Sequence, residues 1–254
     1  MGEHPRHQVR VLRFLSDHVS PKNAMSENFS HPLVVSPHFD DAVFSCGAFI
    51  AAHPGSVVHT VFSGCPAGDV RTDWDQHCGF SNAAEAMYER ACEDDFALKI
   101  LGAVAEHSDF LDAQYVPYGT APTVESIASK LGEAVRRHAV RALLVPLGLF
   151  HSDHDLVHRA CINVWNANPA LKCFAYEDAL YRRMSGLLQT RLADLAARGI
   201  SATPEPVHWD VNQPDHALKR EAVGAYASQL KAFGPEGYDD VFCTERCWKL
   251  ELAK

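Results

Sequence analysis

Two short polar stretches of this 254-residue chain hold residue types that can work on a divalent cation and on water. The first is Pro37-His38-Phe39-Asp40-Asp41, in which His38 and Asp41 stand three residues apart. Neutral imidazole and carboxylate both bind divalent metals, and a catalytic zinc takes three protein ligands while leaving a position for water. His38 and Asp41 could supply two of the three. The second stretch, His151-Ser152-Asp153-His154, offers the missing imidazole. Each feature alone has a plainer reading: Asp41 as an ordinary helix N-cap, His38 as a turn histidine with its bonds satisfied. Together the two stretches give a whole ligand set a place to form.

The flanking residues say how such stretches would be positioned. Residues 33–36, Leu-Val-Val-Ser, read as a buried strand. Behind the first stretch Val43, Cys46, Gly47 and Ile50 fall at i, i+3, i+4 and i+7, one apolar stripe of a helix over 42–52. The pattern repeats around the second stretch. Residues 143–146, Leu-Leu-Val-Pro, form an apolar run, and Val157, Ala160, Cys161 and Val164 carry the helical spacing beyond His154. Both stretches are thus strand-to-helix turns at the carboxyl ends of strands, where open α/β sheets build their ligand sites. The two turns are expected to face each other across the sheet's edge.

With these motifs in this order, the chain resembles the zinc-dependent de-N-acetylases of the PIG-L/LmbE type, marked by a Pro-His-x-Asp-Asp turn after the first strand and a later His-x-Asp-His. Arg90 and Glu93, with Leu101-Gly102 closing the same helix, look like the family's second helix; Lys219 through Tyr226 and Gln229 look like its late helix. The resemblance implies a Rossmann-like fold, a metal held by His38, Asp41 and His154, and Asp40 as general base, a carboxylate beside the ligands that can take a proton from water acidified by the ion. It implies His151 as the group that stabilises the oxyanion, expected here as a protonated imidazole, with Asp153 holding that ring's proton and orientation. Zinc is the expected cofactor by family, although nitrogen and oxygen ligands also suit Fe2+, Mn2+ or Co2+. The first motif continues with Ala42 where many members carry Glu, and position 39 is Phe, so this chain is expected to differ from its relatives in substrate more than in chemistry.

The implied function is hydrolytic removal of an N-acetyl or other N-acyl group from an amino sugar or glycoside. Two alternatives stay open: an amidase acting on a thiol-sugar conjugate, and a metal-containing sugar-binding protein without turnover. Arg90, Asp112 and Trp74 are candidate substrate contacts. Arg90 could equally form an i, i+3 ion pair with Glu93, and Trp74 could stack on a sugar ring or simply anchor its loop. Glu177 and Asp178, at another strand end, are further candidates for sugar hydroxyls; Tyr226 and Gln229 are expected to pack the late helix. No Gly-x-Ser-x-Gly turn, dinucleotide fingerprint or phosphate-binding lysine loop is present.

Composition bounds the rest. With 47% hydrophobic and 22% charged residues, the chain suits one large α/β domain spanning 1–254. A net charge of −9 gives no general attraction to nucleic acid or an anionic membrane. No apolar run nears the roughly 20 residues needed to cross a bilayer, and the opening residues lack a signal peptide's apolar core, so a cytoplasmic protein with a small-molecule partner is expected. Self-association is left open. The eight cysteines are scattered and read as reduced; Cys46 and Cys161 fall on core faces, and a bond between Cys65 and Cys78 stays open.

Strands are further expected at 57–62, 107–111, 172–176, 207–211 and 245–252, and helices at 81–102, 123–138, 179–199 and 215–230. Residues 1–30 read as an N-terminal extension with an apolar patch at Val9, Val11, Leu12, Phe14 and Leu15. Residues 203–254 read as a smaller strand-helix-strand segment, set off where Thr203-Pro204-Glu205-Pro206 breaks the pattern. The polar stretch 64–80, with Asp69, Asp73, Trp74, Asp75 and His77, is long for a connection and reads as a lid or binding loop. The alternation of strands and helices favours a mostly parallel sheet covered on both faces.

Overall fold

A computed structural model describes residues 29–117, 120–205 and 214–253. The apolar patch of the N-terminal extension and the expected strand at 207–211 lie outside the described residues. Among the described residues seven strands form one sheet: β1 (Pro32–Ser36), β2 (Val57–Thr60), β3 (Val104–His107), β4 (Ala142–Pro146), β5 (Lys172–Tyr176), β6 (Ile200–Glu205) and β7 (Cys247–Leu252). Their order is β3-β2-β1-β4-β5-β7-β6. The first five are parallel, and β7 runs antiparallel between β5 and β6.

The central strands β1 and β4 are buried along their whole length, as strands covered on both faces must be. Successive side chains point to opposite faces, and the core divides accordingly. Leu33, Val35, Leu143 and Val145 pack under the helices α4 (Val124–Arg137) and α5 (Ser152–Ala167). Val34, Val58, Leu144 and Phe174 pack on the other face under α1 (Asp41–Ala52), α3 (Ala83–Ile100) and α7 (Pro214–Ala225). The remaining helices are α2 (Asp73–Cys78), α6 (Leu187–Ala197) and α8 (Ala227–Phe233). Cys46 and Cys161 lie in the two cores as expected, and all eight cysteines are free, Cys65 exposed and Cys78 buried.

Several elements differ from the sequence reading, each for a physical reason. The third strand precedes the stretch expected to hold it. It is the outermost strand, half exposed, and Val-Ala-Glu-His lacks the apolar run that marks a covered one. At the opposite edge Thr203, Pro204 and Glu205 continue β6 instead of breaking it; a sheet's outer strand tolerates proline because one side of its ladder faces no partner. The helix expected over 179–199 begins only at Leu187, because Leu180 and Gly186 adopt left-handed backbone, φ +70 and +86. The late helix splits at Tyr226, and the expected loop 64–80 contains α2, N-capped by Thr72.

Helix α1 departs most. Its expected stripe is buried, but so are its other faces, from Ala42 through Ala51. It breaks at Cys46, whose φ of −144 and ψ of 32 are not helical. The backbone groups freed there are taken up by a buried ion pair from distant chain. Glu245 accepts from the N–H groups of Ala48 at 2.8 Å and Phe49 at 3.0 Å, and Lys219 donates to the Phe44 carbonyl at 2.9 Å and to Glu245 at 2.8 Å. Gly47 is required for this approach, since a Cβ there would stand 2.9 Å from Cγ of Lys219.

Candidate active site and metal centre

The strand order reverses direction between β1 and β4, and the loops that leave their carboxyl ends diverge there and open a crevice. A cavity of about 380 Å³ occupies it, with His38, Asp40, Asp41 and His151 in its lining. The β1–α1 turn is pinned by Ser36, whose hydroxyl donates to the His38 carbonyl and accepts from the Ala42 N–H. Asp41 fixes the turn from inside: its Oδ2 accepts from the His38 N–H at 2.8 Å.

Three donors converge here. Asp41 Oδ2 lies 3.1 Å from His38 Nδ1 and 3.1 Å from His154 Nε2, and the three residues offer ligand atoms within 4.8 Å of one another. His154 Nδ1 is engaged 2.7 Å from Asp178 Oδ1, while Asp178 Oδ2 accepts from the Leu149 N–H at 3.1 Å. A carboxylate on the far ring nitrogen fixes the tautomer and aims the near nitrogen, the usual support of a metal-binding histidine. His38, His151 and Asp153 form a second triple equally close. There Asp153 Oδ2 is occupied by the Ala113 N–H at 3.0 Å, and His151 Nδ1 accepts from the Asp153 N–H at 3.2 Å. The first triple, with an outer carboxylate behind its buried imidazole, fits a divalent cation better.

The electrostatics of the site agree. Burial opposes charge on His154, but Asp41 and Asp178 outweigh it and raise the ring to about 9. Desolvation also opposes charge on the half-buried His38, yet Asp112, Asp153 and Asp41 raise it well above its ordinary value. Burial would push the Asp41 carboxyl up, and the two imidazoles hold it far below the usual carboxylate range instead. Positive charge is thus favoured where the donors meet, and a cation binding there would displace protons. Burial and then the neighbouring Asp41 raise Asp40 to about 7. Its side chain makes no cap to α1.

His151 and Asp153 are arranged otherwise than expected. The Asp153 carboxylate faces His38 Nε2 at 3.2 Å rather than the ring of His151. What orients His151 is the Asp153 backbone N–H, through α5's N-cap bond. Burial, His38 and His154 together lower the pKa of His151, and a neutral ring accepting at Nδ1 carries its proton on Nε2.

Arg90, Asp112 and Trp74 all reach the cavity lining. Arg90 pairs with Asp75 at 2.8 Å and donates to Tyr115 Oη at 3.3 Å, not to Glu93, which instead caps α8 through Ser228. Asp112 lies 3.8 Å from His38 Nε2, and Trp74 packs against Phe233 with centroids 5.5 Å apart. Tyr226 and Gln229, expected only to pack a helix, line the cavity as well. Glu177 points elsewhere, accepting from Trp248 Nε1 at 3.0 Å. Asp178, expected to meet sugar hydroxyls, is the partner of His154. It follows β5, the strand beside β4, so its contact with His154 depends on strand order and left no local signal.

The family model for GlcNAc-PI de-N-acetylases, PIG-L, matches residues 33–165 and so takes in both turns and more than half of the 254 residues. The chain belongs to the PIG-L family. Among curated relatives, the 2'-N-acetylparomamine deacetylase of Streptomyces fradiae is 26% identical over 258 residues, covering 85% of this chain and 88% of that protein. A deacetylase from teicoplanin biosynthesis superposes with a TM-score of 0.76 at 18% identity, covering 88% of this chain and 99% of its own. The A40926 pseudoaglycone deacetylase gives 0.71 at 24% identity, covering 88% and 98%. A zinc-inhibited form of the teicoplanin deacetylase gives 0.73 at 19%, covering 88% and 99%. The solved structures establish the family's α/β fold for this chain. No helix among the described residues is long and apolar enough to cross a membrane.

Proposed function

We propose that this chain is a metal-dependent hydrolase that removes an N-acetyl group from an amino sugar within a glycoside. The observation that carries this reading is the convergence of His38, Asp41 and His154 beside an Asp40 carboxyl that caps nothing, in a cavity wide enough for a sugar. The acetylated amino sugars and glycosides named for its relatives support the substrate class.

His38, Asp41 and His154 would hold the cation, zinc being the metal implied by the family resemblance. When bound, it supplies Lewis acidity toward water and toward the acyl carbonyl. Asp40 accepts the proton of the attacking water and returns it to the departing amine nitrogen, a task suited to a carboxyl near neutrality. His151 donates its Nε2–H to the carbonyl oxygen as negative charge gathers there. A neutral donor serves this role, because the Asp153 N–H fixes the tautomer before substrate arrives. Asp112 and Arg90 meet sugar hydroxyls along the lining, and Trp74 offers a ring face.

Acetate release from a panel of N-acetylglucosaminides, read beside the metal content of the parent and of Asp40→Asn, tests this. Expected is turnover by the parent and its loss in a variant of unchanged metal content. An inert, metal-loaded parent, or an active Asp40→Asn, overturns it.

A further inference from the structure

The loop between β4 and α5 places Phe150 where neither backbone preference nor core burial accounts for it. The His151 N–H donates to the Leu149 carbonyl at 2.7 Å, closing a three-residue turn with Phe150 at its centre and φ at +62. A γ-turn with positive φ at its centre is the rarer, strained kind, and a bulky residue in left-handed backbone is an outlier. Glycine would adopt it freely. Phenylalanine stands there instead, 64% exposed.

The turn is held in place from beneath. Leu149 is tied to Asp178, and Gly148 is packed so tightly that a Cβ would meet Cβ of His158 at 2.8 Å and the His154 carbonyl at 2.9 Å. Strain that the surroundings over-determine is found at ligand clamps and active sites. The ring of Phe150 lies against Tyr181, centroids 5.4 Å apart and planes inclined by 35°. Tyr181 lines the cavity and meets the ring of His154 edge-on at 5.3 Å. Leu180 beside it, φ +70, lines the cavity too. Phe150 is not itself part of the cavity lining; Tyr181 joins its exposed ring to that lining and to the buried His154.

We propose that Phe150, backed by Tyr181, is a binding subsite at the cavity mouth that takes the flat aromatic face of the group to which the amino sugar is linked. The subsite rests on the glycoside deacetylase reading above, and its occupant is an aryl aglycone. Glycine would meet the backbone demand of the turn, so the exposed ring on Tyr181 is not there for the backbone.

Deacetylation of 4-nitrophenyl and methyl glycosides of N-acetylglucosamine is compared in metal-loaded parent, Phe150→Gly and Phe150→Trp. Glycine keeps the backbone and removes the ring. The aryl-to-methyl ratio of kcat/KM should fall roughly three- to tenfold in Phe150→Gly, the span of one aromatic stacking contact, and return in Phe150→Trp. A ratio that stays level across the three proteins overturns the subsite. Should the parent turn over neither glycoside, calorimetry with the aryl glycoside separates the two ideas. Weaker binding by Phe150→Gly keeps the subsite and removes the deacetylase, whereas equal affinity, or no binding by either protein, removes the subsite.

Discussion

Two clusters of imidazole and carboxylate lie beside neighbouring strands of the sheet, and only the one around His38 aims three donors close enough together to hold a metal ion. Around His38, one Asp41 oxygen sits between two ring nitrogens. The other cluster gathers His59 on β2, Glu106 on β3 and His138 after α4, beside a cleft of about 200 Å³ that His59 and Glu106 line. Its carboxylate is already bridged by Arg137 and His138, while His59 Nε2 engages the Ser108 hydroxyl at 2.8 Å and His59 Nδ1 stands 3.6 Å from Glu106. Among the described residues, only the two groups around His38 bring three metal donors within 4.8 Å. Residue type is the same in both places. The difference is whether packing leaves the donors aimed at one point or closes them on each other.

Four measurements would break or sharpen that contrast. The largest effect is expected for Asp40→Asn, a fall in kcat of about 10²- to 10⁴-fold with metal content held at the parent's level; steady-state kinetics and elemental analysis check it. Next comes Asp178→Asn, which removes the carboxylate behind His154 and should weaken metal affinity about 10- to 100-fold in a chelator competition. His138→Gln in the second cluster should leave that affinity at the parent value.

Third is the pH dependence of stability. Burial lowers His59 to about 4 from its ordinary 6.5, so between those values the unfolded chain binds the proton and the folded one does not. The stability tied to a neutral His59 is complete above pH 6.5 and is lost as pH falls toward 4, a loss on the order of 3 kcal/mol. Urea midpoints taken across that window should flatten in His59→Gln. The smallest effect is expected for Arg137→Ala. It removes a largely exposed partner of Glu106 and should shift unfolding by only ~0.2–1 kcal/mol, with metal binding unaltered.

What could be read beforehand follows the range of the forces involved. The two strand-to-helix turns were legible because a local apolar period brackets each polar motif, and with them the parallel sheet and the residues brought to its edge. Contacts set by strand order were not. Asp178 behind His154, Asp75 beneath Arg90 and the Asp153 carboxylate on His38 join segments that no spacing in the sequence relates. Edge strands were misplaced for a different reason. β3 and β6 carry polar residues, and in β6 a proline, since half of each faces outward. The break in α1 gave no warning, because its apolar period continues through Cys46 while its backbone does not.

That break has a consequence for how the molecule is made. The segment that presents Asp41 is sealed by a carboxylate 197 residues further along the polypeptide. A ribosome must therefore deliver Glu245, far downstream, before the first motif acquires its final support. His38, Asp41 and His154 are all synthesised long before Glu245, so the turn that carries two of them is finally braced only after both turns exist.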